Sequence, residues 1–160
     1  MLPTPSARTA AGLEPSVLRE LERLLSELPR RFERLADCGL PATLVHGDFH
    51  RGNVRGPDDS LVLLDWGDCG VGHPLLDQAA FLEHLPTDER ALVEREWSRI
   101  WQAGFPGSDP DRAARLLKPV AALRQAVIYR GFLDRIEPDE QIYHAADPAM
   151  WLVRAADFAR

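Results

Sequence analysis

The sequence has little cysteine, almost no lysine, no surplus of positive charge and no long apolar run. Each shortage excludes something. Cys38 and Cys69 are the only cysteines. They lie far apart without metal-ligand spacing, so they read as two reduced thiols of a cytoplasmic protein rather than a disulfide frame or a zinc site. Lysine and arginine number 19 against 25 aspartates and glutamates, a formal net charge of -6. A broad nucleic-acid surface needs a basic face, so no nucleic-acid partner is expected. No uninterrupted apolar stretch approaches the roughly 20 residues that span a bilayer. The first residues lack the basic start and apolar core of a secretion signal.

What is present is an ordinary soluble composition, 45% hydrophobic and 28% charged over 160 residues. That length allows one domain with a sizeable core. Met1 to Gly12 is rich in Pro, Ser, Thr, Ala and Gly and reads as a tail or linker, leaving 13–160 as a single domain. Val17, Leu18, Leu21, Leu24, Leu25 and Leu28 recur at helical spacing after Pro15. A break or kink is expected at Pro29, then a second short helix from Arg31 to Ala36 with Phe32 and Leu35 inward. Further helices are expected from Leu75 to Leu85, from Asp88 to Ala103 with Thr87 as N-cap, from Pro110 to about Leu133, and from Pro148 to Ala159. The second of these carries Leu92, Val93, Trp97, Ile100 and Trp101. For the third, Ser108 or Asp109 is the expected cap and Pro119 the expected kink. Its expected buried side is Leu116, Leu117, Val120, Leu123, Val127, Tyr129 and Phe132.

The informative stretch lies between the helices, from Leu44 to Cys69: LVHGDFHRGNVRGPDDSLVLLDWGDC. Thr43 to Val45 reads as a short strand. A loop follows, and Asn53 and Val54 begin a second strand. Gly56 to Ser60 is dense in turn formers. The apolar run Leu61 to Leu64 then delivers Asp65 at its end. A hairpin of this kind places Asn53 beside Asp65, just past the loop that carries Asp48. Phosphoryl transfer needs an in-line hydroxyl, a carboxylate to take its proton, and hard cations on the phosphate oxygens. Magnesium is held by one or two protein oxygens, with water and phosphate completing its shell. Asp48 fits the proton acceptor, and Asn53 with Asp65 fits the pair of metal ligands. Each also has a plainer reading, as a loop cap or as a turn residue bonding its own backbone.

The order His46-Gly47-Asp48, four residues, Asn53, then Asp65-Trp66-Gly67-Asp68, resembles the aminoglycoside phosphotransferase and choline kinase-like family. Gly70-Val71-Gly72-His73-Pro74 and Leu76-Asp77-Gln78-Ala79-Ala80 extend the likeness to Phe81. The resemblance implies an α+β, mostly helical fold: a protein kinase-like C-terminal lobe with a small β-hairpin carrying the catalytic and metal loops. It implies Mg2+ and ATP (or GTP) as phosphoryl donor, and a small-molecule hydroxyl acceptor of aminoglycoside or choline-like type. It also implies that His46 orders the loop rather than reacting, and that Asp77 braces the loop from the following helix. The alternative for Asp77 is an ordinary first-turn acid. Asp68 either approaches a second metal through water or caps the turn into Gly70. His50 has no partner visible in the sequence. Arg51 either approaches a phosphate or, the commoner case, is a solvated loop residue, and Trp97, Trp101 and Tyr129 either line a substrate pocket or, more often for such spacing, belong to the core. The acids Asp109, Asp111, Glu137, Asp139 and Glu140 either attract an aminated acceptor or cap helices.

The same resemblance implies an N-terminal lobe with a glycine-rich loop and a strand lysine over the phosphates. Neither stands before His46: Gly12 is isolated, and the one lysine, Lys118, falls in a predicted helix. Half a cleft cannot position a nucleotide, so weak binding and little turnover by this chain alone are expected. Three explanations stay open: a fragment of a longer kinase, a partner chain that supplies the small lobe, or a truncation kept for binding. The last makes the alternative function a non-catalytic metabolite- or partner-binding module, its bare face covered by a homodimer.

Overall fold

The computed structural model describes residues 12–83 and 85–160. The tail expected from Met1 lies outside them except for Gly12. The described chain is mostly helical. In order it forms α1 (Pro15–Ala36), β1 (Thr43–Val45), a 3-10 turn (Arg51–Asn53), β2 (Val54–Arg55), β3 (Val62–Leu63), β4 (Gly70–Gly72), α2 (Leu75–Glu83), α3 (Thr87–Gly104), α4 (Pro110–Leu133), α5 (Gln141–His144) and α6 (Asp147–Ala159). Two compact units divide it, 1–32 with 118–160, and 33–117.

The first unit is built on small-to-large packing. Val17, Leu21 and Leu24 bury their side chains with Ala122, Ala155, Ala156 and Ala159. Alanines let helices approach closely, and the leucines fill the space between them. Arg23 adds a link, donating from its guanidinium to the carbonyl of Ala159 at 2.6 Å.

The second unit holds both small sheets. β1 pairs antiparallel with β4, Leu44 opposite Val71. β2 pairs antiparallel with β3, Val54 opposite Leu63 and Arg55 opposite Val62. Its buried apolar residues include Leu35, Cys38, Leu40, Val45, Leu75, Leu85, Ala113, Leu116 and Leu117. Asp109 caps α4, its Oδ1 accepting the Arg112 N–H at 2.9 Å. Ser98 of α3 donates to Asp111 of α4 at 2.5 Å, so a buried hydroxyl finds its acceptor in an exposed acid.

Several expectations are corrected. α1 does not break at Pro29 but runs through it. Pro29 and Leu25 are both exposed, so the carbonyl left without its N–H partner lies where water can serve it. α4, by contrast, keeps its expected span with Pro119 inside it. Thr87 is inside α3, whose N-cap is Pro86, with no side-chain cap. Asn53 ends a 3-10 turn instead of opening a strand, and β4 was not foreseen. Of the expected buried side of α4, Val127 and Phe132 are exposed; Phe32, Leu61, Val62, Leu64, Leu92 and Ile100 are exposed too. Apolar spacing marks which residues share a face. It does not say that the face is covered.

Candidate active site

The site is a loop held at both ends. β1 ends at Val45, and the next two residues turn sharply. Gly47 adopts φ +88. A Cβ there would collide with the carbonyl oxygen of Asp68, so only glycine allows the loop to lie against the segment after Asp65. Asp77, in the first turn of α2, fixes the same point. Its Oδ2 accepts the His46 N–H at 2.7 Å and its Oδ1 accepts the Gly47 N–H at 3.0 Å. A carboxylate receiving two backbone donors makes charge-assisted bonds, stronger than neutral ones. It also sits where the helix macrodipole favours an acid. Asp77 thus both accepts two backbone N–H groups from the loop and stands in the first turn of α2.

His46 is 2% exposed. Its Nε2 lies 2.8 Å from the carbonyl oxygen of Leu64. A carbonyl only accepts, so Nε2 carries the proton. Nδ1 is buried without a partner among the described residues. The ring rests 4.8 Å from that of Trp66, whose indole N–H donates to the Leu63 carbonyl at 3.0 Å. His46 thus joins the end of β1 to the residue before Asp65. It orders the loop and has no solvent-facing atom for chemistry.

Past Gly47 the side chains alternate. Asp48 points outward, its side chain about half exposed at 51%. Phe49 turns inward, stacked on Phe81 of α2 at 5.1 Å and edge-on to Trp97 of α3 at 5.9 Å. Phe81 and Trp97 also meet, at 6.2 Å. Ring contacts of this kind add roughly 0.5–1.5 kcal/mol each beyond burial. The backbone carrying Asp48 is therefore anchored by its neighbour.

The loop closes through the 3-10 turn, in which the Asn53 N–H bonds the His50 carbonyl at 2.9 Å. The Asn53 Nδ2 then reaches back, to the Asp48 carbonyl at 2.9 Å and to the Asp48 Oδ2 at 3.2 Å. With Nδ2 so engaged, the amide oxygen is the atom left over. The Asn53 carbonyl accepts the Leu64 N–H at 2.8 Å. Asp65 is the next residue, held at φ +60, a left-handed backbone uncommon outside glycine. Asp65 and Asp68 are exposed. The structure thus brings Asp48 and Asn53 into contact, sets Asp65 one residue past the Asn53 pairing, and puts Asp68 against Gly47. Asn53 and Asp65 offer hard oxygen donors, which suits magnesium. A pair that includes an amide is no cluster of acids, and among the described residues no group of three or more His, Cys, Asp and Glu is poised for a metal.

Sequence reasoning missed three things here. Phe49, Phe81 and Trp97 form one cluster across residues far apart in the chain, which no local spacing reveals. Trp66 packs on His46. His50, read as having no visible partner, accepts the Gly52 N–H on Nδ1 at 3.0 Å. A polar side chain two residues before a glycine is a recognised turn pattern and was the available signal.

Comparison with known proteins finds a match to the phosphotransferase enzyme family over residues 3–116. No solved structure matches.

Proposed function

The chain belongs to the phosphotransferase enzyme family, and on that premise we propose that it is the catalytic lobe of a small-molecule kinase. It moves the terminal phosphoryl group of ATP or GTP to a hydroxyl of an aminoglycoside-like, choline-like or related acceptor. The observation that carries this reading is the hold of Asn53 on Asp48. One amide fixes both the backbone and the carboxylate of Asp48, 2.9 and 3.2 Å away, and leaves that acid open to solvent.

In the reaction, Asp48 accepts the proton of the attacking hydroxyl as its oxygen bonds to phosphorus and the bond from phosphorus to the bridging oxygen breaks, releasing the nucleoside diphosphate. Asp77 and His46 keep the backbone of the loop in place while it does so. Asn53, through its amide oxygen, and Asp65, through its carboxylate, would hold magnesium. The bound ion would offset the negative charge of the phosphate oxygens. Asp68 backs the loop at Gly47 and has no assigned part in the chemistry. A net charge of -6 favours an amine-bearing acceptor. We place the activity in the cytoplasm, where nucleotide and reduced thiols coexist.

We further propose that this lobe works with a nucleotide-covering lobe that residues 12–160 do not contain, supplied elsewhere in the chain or by a partner. A second reading, a binding module derived from such a lobe, draws on the exposed Leu44 and Val71 on β1 and β4. Covering that face in a homodimer would follow from it. A strictly monomeric protein in light scattering would count against the second reading.

The test is phosphoryl transfer from MgATP and MgGTP to a panel of amino-sugar and choline-like alcohols. Replacing Asp48 by Asn should slow transfer by about a hundred- to ten-thousandfold, the usual worth of general base catalysis. An Asp48→Asn protein as fast as the parent would overturn the reading. Calorimetry with MgATP addresses the missing lobe: micromolar binding by the monomer alone would refute its need.

A further inference from the structure

His50 is the loop residue to which the chemistry above gives no part. Its Nδ1 accepts the Gly52 N–H at 3.0 Å. A ring nitrogen that accepts carries no proton, so the ring proton sits on Nε2. That nitrogen lies 3.4 Å from Oδ2 of Asp48. The same oxygen receives the Asn53 amide at 3.2 Å. Asp48 Oδ2 therefore accepts from the Asn53 amide and has the His50 Nε2 close by, without a formed hydrogen bond to it. Oδ1 has no donor among the described residues.

Gly52 supplies an independent observation. A Cβ on it would lie 2.5 Å from Cε1 and 2.7 Å from Nδ1 of the His50 ring. The imidazole is seated directly on the bare Cα of Gly52, in the one position where Nδ1 meets the Gly52 N–H. This seat fixes both the place of the ring and its tautomer. A separation of 3.4 Å is longer than a mature N–H···O bond. Contacts around a catalytic group often shorten when substrate binds.

We propose that His50 is a positioning residue: in its Nε2–H form it steadies Oδ2 of Asp48 together with Asn53, leaving Oδ1 to take the acceptor's proton. This rests on the reading of Asp48 as proton acceptor. Its chemical logic is a division of labour within one carboxylate. A carboxylate free to rotate presents either oxygen. Donors on one oxygen hold it to a single presentation, which orients the reacting atom before substrate arrives.

Two amide substitutions separate the roles of the two ring nitrogens. In His50→Asn the side-chain oxygen stands near the place of Nδ1 and can still accept the Gly52 N–H, but nothing reaches Asp48. In His50→Gln the amide nitrogen reaches the place of Nε2 and restores a donor to Asp48. The measurement is ADP formation from saturating MgATP, with water as acceptor, by the full chain joined to the nucleotide-covering lobe of a phosphotransferase. His50→Asn should lower kcat by about tenfold, the effect of losing one donor to a charged group. KM for MgATP should stay put, and His50→Gln should recover most of the rate. Nitrogen-15 NMR of the parent imidazole should show the proton on Nε2.

His50→Asn at the parent rate, while Asp48→Asn is inactive, sinks this inference and leaves the kinase reading standing. A proton found on Nδ1 also sinks it. A parent no faster than Asp48→Asn even when joined to a nucleotide-covering lobe removes the kinase reading, and the role of His50 falls with it.

Discussion

Replacing Asp77 by alanine tests how the loop is held. Two backbone N–H groups, of His46 and Gly47, end on this carboxylate at 2.7 and 3.0 Å. His46 and Gly47 are both buried, so neither N–H turns readily to water when the acceptor is removed. A hydrogen bond to a charged group is worth about 1.5–3 kcal/mol, and an orphaned buried donor costs a further share. Asp77 is itself only partly buried, which argues for the lower end of each figure. The loss in Asp77→Ala should be about 3 kcal/mol, and in Asp77→Asn, which keeps one acceptor oxygen, about 2 kcal/mol. If Asp77 were only a favourable first-turn acid, either change would cost about 0.3–1 kcal/mol. Glu89, in the first turn of α3, makes a fitting control for that smaller effect. Two compact units compromise a single unfolding midpoint, so native-state hydrogen exchange is the better assay. The amides of His46 and Gly47 should exchange much faster in Asp77→Ala, with those of α3 unchanged. Unaltered exchange at both amides would refute the bracing argument.

Gly47→Ala combines a left-handed backbone with a collision against the Asp68 carbonyl. It should cost about 2–3 kcal/mol in urea unfolding, and a cost below that of an ordinary surface change would contradict the close approach. His73 is shifted down from its ordinary value by burial. The folded state then binds fewer protons than the unfolded one, so stability is fully present above about pH 6.5 and declines as pH falls below it. His73→Asn, which keeps an acceptor for the Leu75 N–H that Nδ1 receives at 3.3 Å, should flatten that decline; an equally steep acid loss would argue against His73 as its source.

The sequence carried the site more clearly than the surface around it. The order of Asp48, Asn53 and Asp65 stood out through its likeness to a known family, and the hairpin beside them was legible from turn formers between apolar runs. The helices α2, α3, α4 and α6 were legible from spacing, with ends displaced by at most two residues, whereas α5 was not foreseen. What stayed hidden depended on three-dimensional neighbours. Val62 and Val71 look like core residues on paper, yet they are exposed in very short strands, and Leu61, just before β3, is exposed as well. Pro29 looks like a helix breaker, yet its cost is small where the freed carbonyl meets water. His50 looked idle because its meaning lies in two contacts, one of them to a backbone N–H.

The inward turn of Phe49 also has a reach. Through Phe81 and Trp97 the loop shares a hydrophobic anchor with two helices that touch neither nucleotide nor acceptor in the reading given above. Remodelling α3 at Trp97, about fifty positions downstream in the chain, would tug on the residue next to the proton acceptor. Variation in how fast this lobe works can therefore be written into a helix remote from the chemistry, with every motif residue left intact.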